Sequence, residues 1–225
     1  MSIPIICINL DRSVERKELM IEQFNKLKMI KNLDYWFFQA FDSKYITNNS
    51  YGAKIGVGYG MGRQFKNAEL SIINSHIAAL KFAKMLELKE VIIIEDDIFM
   101  CEDWFDRIVK LKKLLDDNWD FIYLSGHSDY AKIEKSEKSK VIDAIKMSGA
   151  YSYMVNCKAY DKIIGFCDSY MTTFDDMIMN MISLKKINAK IYLPFMTYHT
   201  NNVSTLWESE SKDHDSKKYF VNKLK

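Results

Sequence analysis

The sequence predicts an α/β protein with a mixed, mostly parallel central sheet flanked by helices. Three observations carry that prediction. Short apolar runs alternate with longer segments of helical periodicity, the pattern of a layered α/β fold. The run Val91-Ile92-Ile93-Ile94 has no polar alternation, which marks a strand buried on both faces. That run ends abruptly in Glu95-Asp96-Asp97, three acids at a strand's carboxyl end, where open α/β sheets place their ligands.

Taken in order, Ile3 to Asn9 reads as the first strand, and Ser13 is placed to cap a helix running to about Met29. Tyr35 to Ala40, rich in aromatics, is the second strand. From Asp42 to Gly62 the pattern dissolves into Asn, Ser, Tyr and Gly, which predicts a long loop, functional or mobile. A helix follows from about Ala68 to Leu86, with Leu70, Ile73, Ile77, Leu80 and Ala83 on one face. After the acidic strand come a helix from Trp104 to Leu115 and a strand from Trp119 to Leu124. Lys132 to Lys140 reads as the charged tip of a solvated hairpin. Ser148 to Val155 is a strand, Lys158 to Phe166 and Asp176 to Leu184 are helices, and Ile191-Tyr192-Leu193 closes the pattern before Pro194. A single domain over residues 1–206 with a polar tail over 207–225 is expected.

A chain of 225 residues that is 48% hydrophobic has enough apolar surface for a core without disulfides. Its net charge of +2 lacks a strongly basic footprint, so nucleic acid is not expected as a partner. Cys7, Cys101, Cys157 and Cys167 show neither C-x-x-C spacing nor a secreted framework, and Cys7 reads as a buried reduced thiol. The first residues lack a secretory signal pattern, and no apolar run approaches the ~18–20 residues of a membrane span. A cytoplasmic protein is expected, with peripheral contact at a membrane surface through basic residues left open.

Adjacent carboxylates repel unless a cation or several donors compensate, so the acidic strand end points to a divalent ion carrying phosphates. Along an extended strand Glu95 and Asp97 face one side and Asp96 the other. The alternative is an acidic turn capping the helix near Trp104. Gly56-Val57-Gly58-Tyr59-Gly60-Met61-Gly62 lacks the Gly-Lys-Ser/Thr of a Walker loop and the spacing of a dinucleotide loop, so it reads as a flexible loop without a specific contact, a lid near the donor being the alternative. Arg12 and Arg16, one helical turn apart after the first strand, suit either a bidentate phosphate contact or two solvated cations on a capped helix.

Ser75 and His76 sit inside the long helix, where a histidine is a structural group or a ligand. Asp175 and Asp176 begin a helix, as an N-cap or as a general base facing a cleft. His199, after the last strand, is placed to complete a metal site.

Together these segments resemble glycosyltransferase family 25, the lipooligosaccharide galactosyl- and glucosyltransferases related to collagen galactosyltransferases. The resemblance rests on Ile8-Asn9-Leu10-Asp11-Arg12-Ser13 with Glu15-Arg16, on Phe41-Asp42, and on Glu69 with Ser75-His76. It continues through Ile93-Ile94-Glu95-Asp96-Asp97, Gly149-Ala150-Tyr151-Ser152-Tyr153-Met154-Val155, Asp175-Asp176 and the segment from Pro194 to Ser204. Ala68, Ser71 and Ile72 stand where the family carries other small and Cys residues, a departure that bears on helix packing and acceptor shape.

The resemblance implies a GT-A fold, a UDP-sugar donor and a Mn²⁺ or Mg²⁺ cofactor, with a glycan, lipooligosaccharide or glycoprotein as acceptor. By matched position, Asn9, Leu10, Arg12, Arg16, Asp42, Ser75, His76 and Asp96 would bind the nucleotide sugar. Glu95, Asp97 and His199 would hold the metal, and Asp175 or Asp176 would deprotonate the acceptor hydroxyl in an inverting reaction. A nucleotidyltransferase on a similar sheet, or an inactive glycan-binding domain, are the alternatives.

Overall fold

The computed structural model describes residues 3–46, 66–126, 139–145, 147–168 and 172–199. The Gly-rich segment 52–62, the hairpin tip 132–138 and the tail 207–225 lie outside the described residues.

The main sheet contains β1 (Ile5–Asn9), β2 (Tyr35–Gln39), β3 (Glu90–Glu95), β5 (Phe121–Tyr123), β6 (Lys140–Asp143), β7 (Ser152–Asn156) and β8 (Ala189–Leu193). Its spatial order is β2-β1-β3-β7-β5-β8-β6. Strands β2, β1, β3, β5 and β8 run one way, while β7 and the edge strand β6 run against them. The sheet is therefore mixed and mostly parallel, as the sequence predicts.

Helices α2 (Asn67–Met85), α4 (Tyr160–Cys167) and α5 (Phe174–Ser183) cover one face; α1 (Val14–Lys26) and α3 (Trp104–Leu114) cover the other. The apolar run of β3 shows why both layers are needed. Val91 and Ile93 enter the core beneath α2, whereas Ile92 and Ile94 enter the core with Phe24 and Trp104. All four are fully buried. Burying side chains of this size stabilises by roughly 1.5–3 kcal/mol each, so β3 is a principal anchor of the sheet. Leu70, Ile73, Ile77, Leu80 and Ala83 of α2 are all buried on the expected face. Cys7 is buried and unbridged.

The structure departs from the sequence reading at several points. A small second sheet pairs β4 (Ile98–Met100) with β9 (Thr197–His199), antiparallel, with Ile98 opposite His199. Three-residue strands give too short an alternation to be read from sequence. Lys140–Asp143 is an edge strand and not part of a hairpin tip. Ser13 occupies the N-cap of α1 without a side-chain capping bond; its carbonyl instead accepts from Asn9 Nδ2 at 3.3 Å. Thr173, not an aspartate, is the N-cap of α5, and its hydroxyl accepts from the Asp176 amide. Asp42 caps a short 3₁₀ turn, Ser43–Tyr45, where the sequence suggests only loop.

Arg107 ties the end of β8 to α3. Its side chain is buried, with Nη1 donating to the carbonyls of Pro194 and Phe195 at 3.1 Å each and Nε donating to Asp103 at 2.7 Å. This segment, which includes the cis Leu193–Pro194 peptide, leads directly into β9 and so sets where His199 emerges. Among the described residues no helix is long and apolar enough to cross a membrane.

Candidate active site

Because β1 and β3 are adjacent and parallel, their carboxyl ends lie side by side, with Ile8 opposite Glu95. Asn9, 3% exposed, donates from Nδ2 to Asp96 Oδ2 at 2.7 Å. From α1, Arg16 Nη1 lies 3.2 Å from both Asp96 Oδ1 and Asp97 Oδ2. The strict alternation expected of the three acids does not hold. Strand β3 ends at Glu95 and the chain turns at Asp96 and Asp97, so one guanidinium reaches both.

The acids differ in environment. Burial and the charge of Asp97 raise the Asp96 carboxyl, while the Asn9 hydrogen bond and Arg16 oppose the rise. Glu95 is pushed up to about 8, first by burial and then by Asp97, with His199 acting in the other direction. Glu95 Oε1 lies 3.3 Å from Nε2 of His76, whose Nδ1 is 2.8 Å from the Tyr153 hydroxyl. Burial holds the His76 ring down at about 4, although Asp175 pulls the other way.

Across the site, β9 brings His199 Nδ1 to 3.4 Å from Asp97 Oδ1, and the His199 ring packs 4.0 Å from that of Tyr151. Asp97 Oδ1 is buried and has no hydrogen-bond partner among the described residues. A buried carboxylate oxygen in that condition calls for a cation or a donor. Carboxylate donors suit Mn²⁺ and Mg²⁺. Among the described residues no three His, Cys, Asp or Glu side chains are gathered as a group that could hold a metal ion.

Arg12 and Arg16 do not form a pair. Arg12 Nε donates to Asp42 Oδ2 at 2.7 Å, away from the acids. Partial burial works against the Asp42 carboxylate, but the Lys44 amide and the Arg12 guanidinium hold its pKa below the usual range. Leu10, Arg12, Gln39, Asp42, Lys44 and Tyr45 line an open cleft of about 730 Å³ beside the acid corner. Gln39, Lys44 and Tyr45 carry no motif and were not legible as site residues.

Ser75 is buried behind Phe41, a residue of the cleft wall. Its hydroxyl accepts from the Phe41 amide at 2.9 Å and donates to the Ser71 carbonyl at 2.7 Å. The two aspartates of α5 separate in role. Asp175 accepts from the amides of Gly149 and Ala150 at 2.9 and 3.0 Å, one on each oxygen, and so clamps the approach to β7. Asp176 accepts from Thr172 Oγ1 at 3.0 Å.

A mixed sheet brings acids, an amide and a guanidinium together at two parallel strand ends, the place where open α/β folds bind their ligands. The family is set by its match to the glycosyltransferase family 25 (LPS biosynthesis protein) model over residues 2–179, most of the chain, and the protein belongs to that family. Mouse procollagen galactosyltransferase 2 is 22% identical over 247 aligned residues, which cover 92% of this chain and 38% of the mouse protein. The chain thus spans well under half the length of that relative. Among solved structures, a glycosyltransferase involved in the glycosylation of the major capsid of PBCV-1 matches with a TM-score of 0.52 and 9% identity, covering 92% of this chain and 97% of that one. That likeness is one of fold.

Proposed function

We propose that this glycosyltransferase moves a hexose, galactose or glucose, from a UDP-sugar to a hydroxyl of a glycan or glycoconjugate acceptor, with inversion at the sugar. A lipooligosaccharide or a glycoprotein is the acceptor class in this reading, in keeping with a family of LPS biosynthesis proteins and a mouse relative named for procollagen. The observation that carries the proposal is the acid corner itself, where Asp97 presents a buried oxygen without a hydrogen-bond partner beside His199.

Asp97 and His199, with Glu95 nearby, would offer one or two direct ligands to Mn²⁺ or Mg²⁺, and the ion would supply positive charge where the leaving nucleoside diphosphate becomes negative. Asn9 and Arg16 keep Asp96 and Asp97 in fixed orientations before the donor arrives, so little reorganisation accompanies binding. Leu10, Arg12 and Asp42 line the adjoining cleft, which receives the nucleoside; Arg12 also offers a guanidinium to the diphosphate. Asp96 serves the ribose or sugar hydroxyls. Ser75 and His76, both buried, act behind the site and not on the donor. On the acceptor side, Asp175 already accepts a backbone bond on each oxygen, so Asp176 takes the proton of the attacking hydroxyl.

The test is thermal unfolding with a panel of UDP-sugars, with and without Mn²⁺. Ligand that binds only the folded chain raises the unfolding temperature by linkage. The expected outcome is a Mn²⁺-dependent shift with UDP-galactose or UDP-glucose and none with nucleoside triphosphates. A shift confined to triphosphates would sink the reading.

A further inference from the structure

Resting on the proposed function for the role of Glu95, we propose that His76 is a positioning residue: the buried His76–Tyr153 pair fixes the Glu95 carboxylate within the site. This goes beyond the donor-binding role that the family resemblance suggests for His76. The ring is 2% exposed, and each nitrogen faces a protein group, Nδ1 the Tyr153 hydroxyl at 2.8 Å and Nε2 the Glu95 carboxylate at 3.3 Å. Phe174 stacks on it with ring centroids 4.3 Å apart and planes 10° from parallel, so the ring plane is held as well. A donor would find no edge of this imidazole left to bond.

The strand register explains why the pair reaches Glu95 and no other acid. Tyr153 of β7 lies opposite Ile93 of β3, and both face the core beneath α2. Glu95, two residues further along β3, projects toward the same side. The Glu95 amide also donates to the Tyr151 carbonyl at 2.9 Å, so backbone and side chain are both set from β7. With Glu95 ionised, Nε2–H donates to Oε1 and the Tyr153 hydroxyl donates to Nδ1; the pair thereby selects one tautomer. Without it, a flexible Glu side chain, 29% exposed, would be free to swing toward solvent. Groups that orient a metal-binding side chain in this way are typically worth roughly 10–100-fold in affinity or activity.

The experiment uses the whole chain and substitutions that separate the two ring nitrogens. Glutamine at position 76 carries its amide near the Nε2 position, whereas asparagine reaches only toward Tyr153. In calorimetry with UDP present, His76→Asn should weaken Mn²⁺ binding about tenfold and His76→Gln by no more than about threefold. Added to Glu95→Gln, His76→Asn should cause no further loss, because its effect passes through Glu95. The donor KM at saturating Mn²⁺ should stay within about twofold.

A readout free of ligand is nitrogen NMR of the four histidine rings. Glu95→Gln and the conservative Tyr153→Phe should each move the ring resonances that His76→Gln removes. Unmoved ring nitrogens, or a full additional loss in the Glu95→Gln background, would overturn the proposal. If wild-type chain neither binds nor uses a UDP-sugar, the donor reading fails, and the ring nitrogens still decide whether His76 holds Glu95.

Discussion

Glu95 Oε1 and His76 Nε2 lie 3.3 Å apart, and the opposed shifts of the two groups make a specific pH signature. In the ion-free protein Glu95 is raised from 4.5 to about 8 and His76 is lowered from 6.5 to about 4. Between 4.5 and 6.5 the folded pair holds one proton, on Glu95, and the unfolded pair also holds one, on the histidine. The pair contributes no slope in that window. Above 6.5 the unfolded chain has released its proton while folded Glu95 keeps it up to about 8, so stability falls as pH rises. Because Glu95 remains partly exposed, the loss should be on the order of 1 kcal/mol rather than the full ~2. Chelator-treated wild type should therefore lose unfolding temperature between pH 6.5 and 8 relative to pH 5.5, and Glu95→Gln should lack that slope. Parallel profiles for the two proteins would refute the assignment of the proton to Glu95.

At the scale of elements, the acid corner depends on a short strand that no sequence pattern announced. The apolar run of β3 and the five-residue apolar face of α2 were legible because burial on two faces, or on one helical stripe, leaves a periodic trace. β4 and β9, at three residues each, leave none, and the proximity of His199 to Asp97 follows only from their pairing. The same limit applies to Arg12 and Arg16. Their spacing suggests a pair, but Asp42 draws one away and the acids hold the other. Asp175 was recognisable as a residue of interest, yet its clamp on Gly149 and Ala150 depends on contacts across 25 and 26 residues of chain.

The position of β9 rests on Arg107. Arg107→Met would leave the Pro194 and Phe195 carbonyls and the Asp103 carboxylate without this partner. Loss of a buried charged hydrogen-bonding group of this kind costs about 3 kcal/mol. Denaturant unfolding should report that loss, together with weaker Mn²⁺ binding as His199 loses its anchor. A change below about 1 kcal/mol would show that α3 does not hold the β8–β9 connection.

For the whole molecule, the sheet places one face of helices behind Glu95 and another behind Asp96 and Asp97, so the corner is braced from both layers. The layered α/β class was readable from alternation alone; the reversal of β7 and β6 was not, because direction within a sheet leaves no mark on a single strand's sequence. The proposed role of Asp97 in organising a divalent ion for donor transfer is read out by sugar transfer with Asp97→Ala in a defined UDP-sugar and acceptor assay with Mn²⁺. Transfer should fall by at least about 100-fold, together with Mn²⁺-dependent UDP binding, while the unfolding temperature without ligand stays near that of wild type. Wild-type transfer by Asp97→Ala would contradict it.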